Sequence, residues 1–116
     1  TGRMAFVSAY GGGVFTALPL TDNGQPGPPV EAIKYTGGNP ANPRQDGSHV
    51  HSATISPDNK QVYVADLGTD EVHTYNIGTG KPVPNAVPVV SVKKASGPRH
   101  MAIHPNGRFA YHFEEQ

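Results

Sequence analysis

Short runs of alternating apolar and polar residues, separated by clusters of glycine, proline, asparagine and aspartate, occupy most of this 116-residue chain. Such alternation is the mark of strands with one buried face, and the clusters between them are turn signals. Ala5-Phe-Val-Ser-Ala-Tyr10 and Val14-Phe-Thr-Ala-Leu18 flank a triple-glycine turn at residues 11–13. Glu71-Val-His-Thr-Tyr-Asn-Ile77 is a further strand, preceded by the turn cluster Asp66-Leu-Gly-Thr-Asp70 and ended by residues 78–80. Residues 23–29 and 81–88 read as proline- and glycine-rich connectors, each leading into a short strand-like run at 30–35 and 89–92. Residues 39–47 form a longer polar loop. No segment carries a sustained apolar stripe of period 3.6, so helix content is expected near zero.

The pattern repeats. His51-Ser-Ala-Thr-Ile-Ser-Pro57-Asp-Asn-Lys60-Gln-Val-Tyr63-Val aligns with Arg99-His-Met-Ala-Ile-His-Pro105-Asn-Gly-Arg108-Phe-Ala-Tyr111-His at a constant shift of 48 residues. Each copy is a strand, a turn preset by the fixed φ of proline and by residues that tolerate positive φ, and a second strand, which makes each a β-hairpin. The first residues repeat the later half of the same unit, with Phe6 and Val7 standing where Tyr63 and Val64 stand. A period of ~40–50 residues with about four strands per unit fits the blades of a β-propeller. A small β-sandwich with a coincidental similarity is the alternative. The expected architecture is all-β, a partial propeller of about two and a half four-stranded antiparallel blades. Residues 1–35 would end one blade, 36–92 would make a complete blade and connector, and 93–116 would start the next.

Composition supports this picture. Glycine and proline total 26 residues and apolar residues 35%, as in a turn-dense β protein, while a charged fraction of 16% is too low for a typical disordered chain. Nine basic residues balance nine acidic ones, so no broad field draws nucleic acid or an anionic membrane. No stretch approaches the ~18 apolar residues of a membrane span, and the first residues lack the apolar centre of a secretory signal. The absence of cysteine excludes disulfides and thiolate metal sites and favours a cytoplasmic setting.

Several strings carry a more specific resemblance: Tyr10-Gly-Gly-Gly13, His49-Val-His51-Ser, Ser56-Pro-Asp58, Val64-Ala-Asp66-Leu-Gly-Thr-Asp70, Gly97-Pro-Arg99-His100 and His104-Pro-Asn-Gly-Arg-Phe-Ala-Tyr111. In this order the chain resembles the seven-bladed propeller lactonase family, which includes propeller-type 6-phosphogluconolactonases and fungal carboxymuconate cyclases. Family members are about three times longer, so the chain looks like a fragment whose raw sheet edges would promote association.

Candidate chemistry centres on three residues. His49 and His51 would share a face in an extended segment and could converge on one ligand. Two histidines without a fixed third ligand make a poor case for zinc or iron, and no metal or other cofactor is expected. Arg99 occupies the point equivalent to His51 one repeat later, so both should border the same channel mouth, where a guanidinium can hold a carboxylate or phosphate. The resemblance implies that His51 and Arg99 are active-site residues, and that Glu115 takes the place of the family's glutamate, although Glu114 and Gln116 depart from the residues usual beside it. His49, His100 and Arg99 are candidate substrate contacts. His100, Asp66 and Asp70 also suit turn-bonding roles.

The resemblance implies a lactone hydrolase acting on a small anionic lactone such as 6-phosphogluconolactone, with His51 or Glu115 as base and Arg99 as clamp. The alternatives are a carboxymuconate cycloisomerase and a non-catalytic binding propeller. Alone, the fragment is expected to be inactive.

Overall fold

The computed structural model describes residues 2–116. Among these residues nine strands follow one another: β1 (Met4–Ala9), β2 (Val14–Pro19), β3 (Glu31–Lys34), β4 (Val50–Ile55), β5 (Gln61–Asp66), β6 (Glu71–Asn76), β7 (Val83–Ser91), β8 (Pro98–Ile103) and β9 (Ala110–Glu114). They form three antiparallel sheets in chain order, β1-β2-β3, β4-β5-β6-β7 and β8-β9. Among the described residues the only helical element is a single 3-10 turn at Tyr10–Gly12.

The turns form for the reasons the sequence suggested. Between β4 and β5, Asp58 Oδ1 accepts Ser56 Oγ at 2.6 Å and the Lys60 N–H at 3.1 Å, while Asn59 takes φ 58°. In the equivalent turn between β8 and β9, Asn106 Oδ1 accepts the Arg108 N–H at 2.9 Å and Gly107 takes φ 70°. An Asx acceptor and one residue tolerant of positive φ close both hairpins.

One expectation needs correction. Residues 81–88 do not form a connector: β7 runs from Val83 to Ser91 through Pro84 and Pro88. It is the outermost strand of its sheet, where a missing N–H is tolerated. Its register against β6 breaks between His73 and Tyr75, and Thr74 Oγ1 bonds the Val87 carbonyl at 2.7 Å within the irregular stretch.

The sheets are joined by packing. β1 lies against β4 and β4 against β8, so β4 is the shared centre. Phe15, Val50, Val62, Val64, Tyr75 and Ile77 form the core between the first two sheets. Phe6, Phe15 and Tyr75 stack in series at centroid spacings of 5.7 and 5.6 Å. At the polar end of that series, the Tyr35 and Tyr75 hydroxyls meet at 2.5 Å and Tyr35 stacks on His73 at 4.0 Å. Burial pushes the Tyr35 phenol well above its ordinary range and holds the His73 imidazole below its own, with Glu71, 3.5 Å from Nε2, opposing the latter only in part.

The outer side of β9 is open: Phe109, Tyr111 and Phe113 are each more than half exposed. No helix of the described residues is long and apolar enough to cross a membrane.

Because a lone buried hydroxyl is costlier than none, Tyr35→Phe and Tyr75→Phe are each expected to lower stability by about 1–2 kcal/mol, and the double variant by less than the sum. A urea-unfolding double-mutant cycle measures the coupling, about 1 kcal/mol, and strict additivity would show that the pair is not bonded.

Candidate active site

His51 and Arg99 owe their placement to two matching β-bulges. In the β4–β5 ladder Val50 opposes Asp66 and Ser52 opposes Ala65, leaving His51 as the extra residue. In the β8–β9 ladder Pro98 opposes Glu114 and His100 opposes Phe113, leaving Arg99. A bulge residue is free of the ladder and can be aimed out of the sheet. Here both are aimed at each other. Arg99 Nε donates to His51 Nε2 at 3.2 Å across the 48-residue repeat.

Glu115 follows β9 directly, its N–H bonded to the Gly97 carbonyl at 3.0 Å. Its Oε2 lies 3.0 Å from Arg99 Nε and 4.0 Å from His51 Nε2. The other oxygen, Oε1, accepts a bond from Arg44 Nη2. Imidazole, carboxylate and two guanidiniums therefore meet in one cluster.

The two remaining candidates have different surroundings. His49 packs, like His51, on the Tyr10 ring. Its ring stacks on Tyr10 at 4.5 Å, with Nδ1 3.2 Å from the Tyr10 carbonyl oxygen and Nε2 2.8 Å from Asp46 Oδ1. His100 is exposed and meets the His51 ring edge-on at 5.0 Å, while Tyr10 meets it edge-on at 5.9 Å. Tyr10 and His100 thus flank the imidazole.

Arg99 is a permanent donor, so the contact leaves the lone pair of a neutral imidazole on Nε2 and its proton on Nδ1. His51 is held below its ordinary pKa of 6.5, first by burial of the ring and then by the positive charge of Arg99. His100 and, more weakly, Arg44 act in the same direction, while the residue's own backbone carbonyl opposes them. At neutral pH the ring is a base.

Two buried carboxylates hold this geometry. Asp66 accepts the N–H groups of His49, Gly68 and Thr69 at 2.8, 3.0 and 3.3 Å on Oδ1, and the Ser48 hydroxyl on Oδ2. Asp70 Oδ1 accepts Gln45 Nε2 at 2.7 Å and the Gly97 N–H at 2.9 Å, and its Oδ2 accepts the Ala95 N–H at 2.7 Å. One carboxylate fixes the approach to His51 and the other the approach to Arg99.

Arg44 and Tyr10 were not among the candidate site residues, although Tyr10 opens one of the strings that carry the family resemblance. Arg44 lies in the polar loop recognised at 39–47, seven residues before His51, and Tyr10 precedes the triple glycine. Neither position carries a periodic signal, and only the tertiary contacts bring them in. A cavity of about 460 Å³ lies away from the cluster, lined by Arg3, Met4, Phe6, Ile55, Asn59 and residues 77–80. Its only ionisable lining side chain is Arg3. Among the described residues no group of three or more histidine, aspartate or glutamate side chains is arranged to hold a metal ion.

The family profile of the seven-bladed β-propeller lactonases matches residues 1–116. The chain belongs to that family. Among lactonase relatives, the 6-phosphogluconolactonase of Erwinia tasmaniensis is 34% identical over 115 residues, covering 98% of this chain and 32% of the relative. The Bacillus subtilis 6-phosphogluconolactonase is 32% identical over 109 residues, covering 94% and 30%. A crystal structure from Bacteroides fragilis superposes with a TM-score of 0.91 at 31% identity, over 99% of this chain and 35% of that one. The periplasmic gluconolactonase of Pseudomonas aeruginosa superposes with a TM-score of 0.88, also at 31% identity, over 97% and 33%. The chain spans about a third of the length of the curated relatives it matches.

Asp70→Asn replaces an oxygen that accepts buried N–H groups with an amide that cannot accept at both ends. We expect a loss of about 2–3 kcal/mol in urea unfolding, together with a chemical-shift change at His51 in NMR spectra. Unchanged stability would mean that Asp70 does not hold the two segments together.

Proposed function

We propose that the propeller built on this segment hydrolyses the lactone of a sugar acid, with 6-phosphogluconolactone as the substrate suggested by the names of its relatives. The observation that carries this reading is the contact between bulge residues His51 and Arg99 beside the Glu115 carboxylate. Opening a lactone needs a base for water, a donor for the developing oxyanion, and a cation for an anionic substrate. Each is present in the cluster.

His51 is the base in this scheme. Both oxygens of Glu115 are engaged by guanidiniums, whereas His51 is neutral with its lone pair toward Arg99. An incoming carbonyl draws Arg99 away and frees Nε2. Water then attacks the carbonyl carbon as Nε2 takes its proton, and the negative charge on the former carbonyl oxygen faces Arg99. Collapse of the tetrahedral intermediate breaks the ring C–O bond, and the leaving alkoxide takes the proton from His51. The product is the open hydroxy acid, and the imidazole is restored.

A carboxymuconate cycloisomerase is the second reading, favoured by the two guanidiniums around one carboxylate, which suit a substrate rich in carboxylates. The cytoplasmic setting expected from the absence of cysteine is carried with the lactonase reading. The Pseudomonas neighbour is periplasmic by its name, and cell fractionation tests the point.

The deciding experiment assays hydrolysis of 6-phosphogluconolactone and isomerisation of carboxymuconolactone by the full-length propeller containing this segment, beside His51→Ala and Arg99→Ala. Hydrolysis is expected, with each variant reduced at least a hundredfold. Turnover of neither substrate points to a binding propeller, and full activity in both variants removes the cluster from the reaction.

The pH dependence has a defined sign. His51 must be neutral to accept a proton, so kcat/KM rises with pH through the depressed His51 pKa and levels off, with the acid limb below pH 6.5. Arg99→Gln removes a positive neighbour and moves the His51 pKa up. NMR titration of the imidazole reads that shift without turnover.

A further inference from the structure

We propose that Arg44 determines specificity by binding a second anionic group of the substrate, a phosphate monoester on the tail remote from the lactone ring. The proposal rests on the lactonase reading. Its additional observations are the contact of Arg44 with Glu115 and the exposure and anchoring of its loop.

Arg44 and Arg99 sit on opposite oxygens of one carboxylate. Arg99 is bound to Oε2, the oxygen nearer His51, and Arg44 to Oε1. Glu115 thus separates a cation at the reacting centre from a cation at the rim. A substrate whose carbonyl meets Arg99 and His51 would extend its tail past Glu115 toward Arg44.

The guanidinium is available. Its side chain is 55% exposed and Glu115 is its only side-chain partner among the described residues, so most of its five N–H donors are open. A planar fork of this kind matches phosphate oxygens in pairs. With Arg44 and Arg99 charged, Glu115 ionised and His51 neutral, the cluster carries one excess positive charge, a setting that favours an anion.

The loop that presents Arg44 is firmly tied. Gln45, the next residue, is fully buried and donates to the Leu67 carbonyl at 2.9 Å and to Asp70 at 2.7 Å. Asn42 Oδ1 accepts the Arg44 N–H at 3.0 Å, and Asn42 Nδ2 donates to Gln116 Oε1 at 2.8 Å beside Glu115. Gly68 closes the arrangement, since a Cβ there would stand 1.8 Å from the Gly47 carbonyl oxygen. Arg44 projects from a loop anchored on both sides, which reduces the ordering entropy lost on binding.

The test compares 6-phosphoglucono-δ-lactone with glucono-δ-lactone in the full-length propeller, for the unaltered protein, Arg44→Gln and Arg44→Lys. The ratio of the two kcat/KM values, phosphorylated over unphosphorylated, is expected to fall at least fivefold in Arg44→Gln, mainly through KM, and by less in Arg44→Lys, which keeps the charge without the fork. A smaller change in the ratio overturns the proposal, including the case where both substrates suffer equally because Arg44 only positions Glu115. If the unaltered protein opens neither lactone, the lactonase reading fails, and calorimetry with 6-phosphogluconate and gluconate decides Arg44 separately. A fivefold loss of preference for the phosphorylated acid in Arg44→Gln then supports the anion site, and an unchanged preference overturns it.

Discussion

The geometry of the site depends on hydrogen bonding to two buried carboxylates. Asp66 ends β5 and Asp70 ends the turn that follows, and both are shielded from solvent. A buried ionised carboxylate is tolerated only when its lone pairs are filled, and here they are filled largely by backbone N–H groups from three segments, those of His49, of Gly68 and Thr69, and of Ala95 and Gly97. Charge-assisted bonds of this kind are stronger than neutral ones. The segments they hold are the ones that lead into His51 and Arg99, and through Gln45 the same network reaches Arg44.

On this frame the blades are alike in backbone and unlike in chemistry. The shift of 48 residues superposes bulge on bulge, so His51 in one blade answers to Arg99 in the next. It also superposes Leu67 on Glu115, and the backbone bond is the same: Leu67 N–H to the His49 carbonyl, and Glu115 N–H to the Gly97 carbonyl, both at 3.0 Å. Leu67 is fully buried, and Glu115 opens to the cluster. One scaffold position is thus used for packing in one blade and for charge in another, which is how a repeating fold acquires a single asymmetric site.

The hairpins and the repeat were legible in the sequence because both are local: alternation, an Asx or glycine turn, and a constant spacing. From the repeat alone His51 and Arg99 could be placed as neighbours, and they are in contact. The bulge at His51 was not legible, because a bulge leaves no mark in composition. β7 was concealed by Pro84 and Pro88, which forbid a central strand but not an edge strand. The place of Arg44 and Tyr10 at the site was not legible, for a different reason. Their positions follow from loops closed by distant partners, Gln45 with Asp70 and Tyr10 with His49, and no local pattern encodes a partner in another sheet.

The same weakness that makes surface ion pairs poor stabilisers suits them to this cluster. Arg44 and Arg99 are 55% and 42% exposed in their side chains and Glu115 is 24% exposed, so each pair is screened and worth on the order of 1 kcal/mol or less. A fully buried triad would be rigid, and separating it would leave an unpaired charge at a cost of several kcal/mol. In the proposed reaction an arriving anion would exchange one partner of a guanidinium for another in a half-solvated setting, at little net cost. Asp66, Asp70 and Gln45 are buried, whereas the two arginines that the proposed reaction would move are exposed. On the proposed reading, stability and binding would be carried by different groups: the carboxylates below fix where the guanidiniums start, and solvent at the rim leaves them free to change partners.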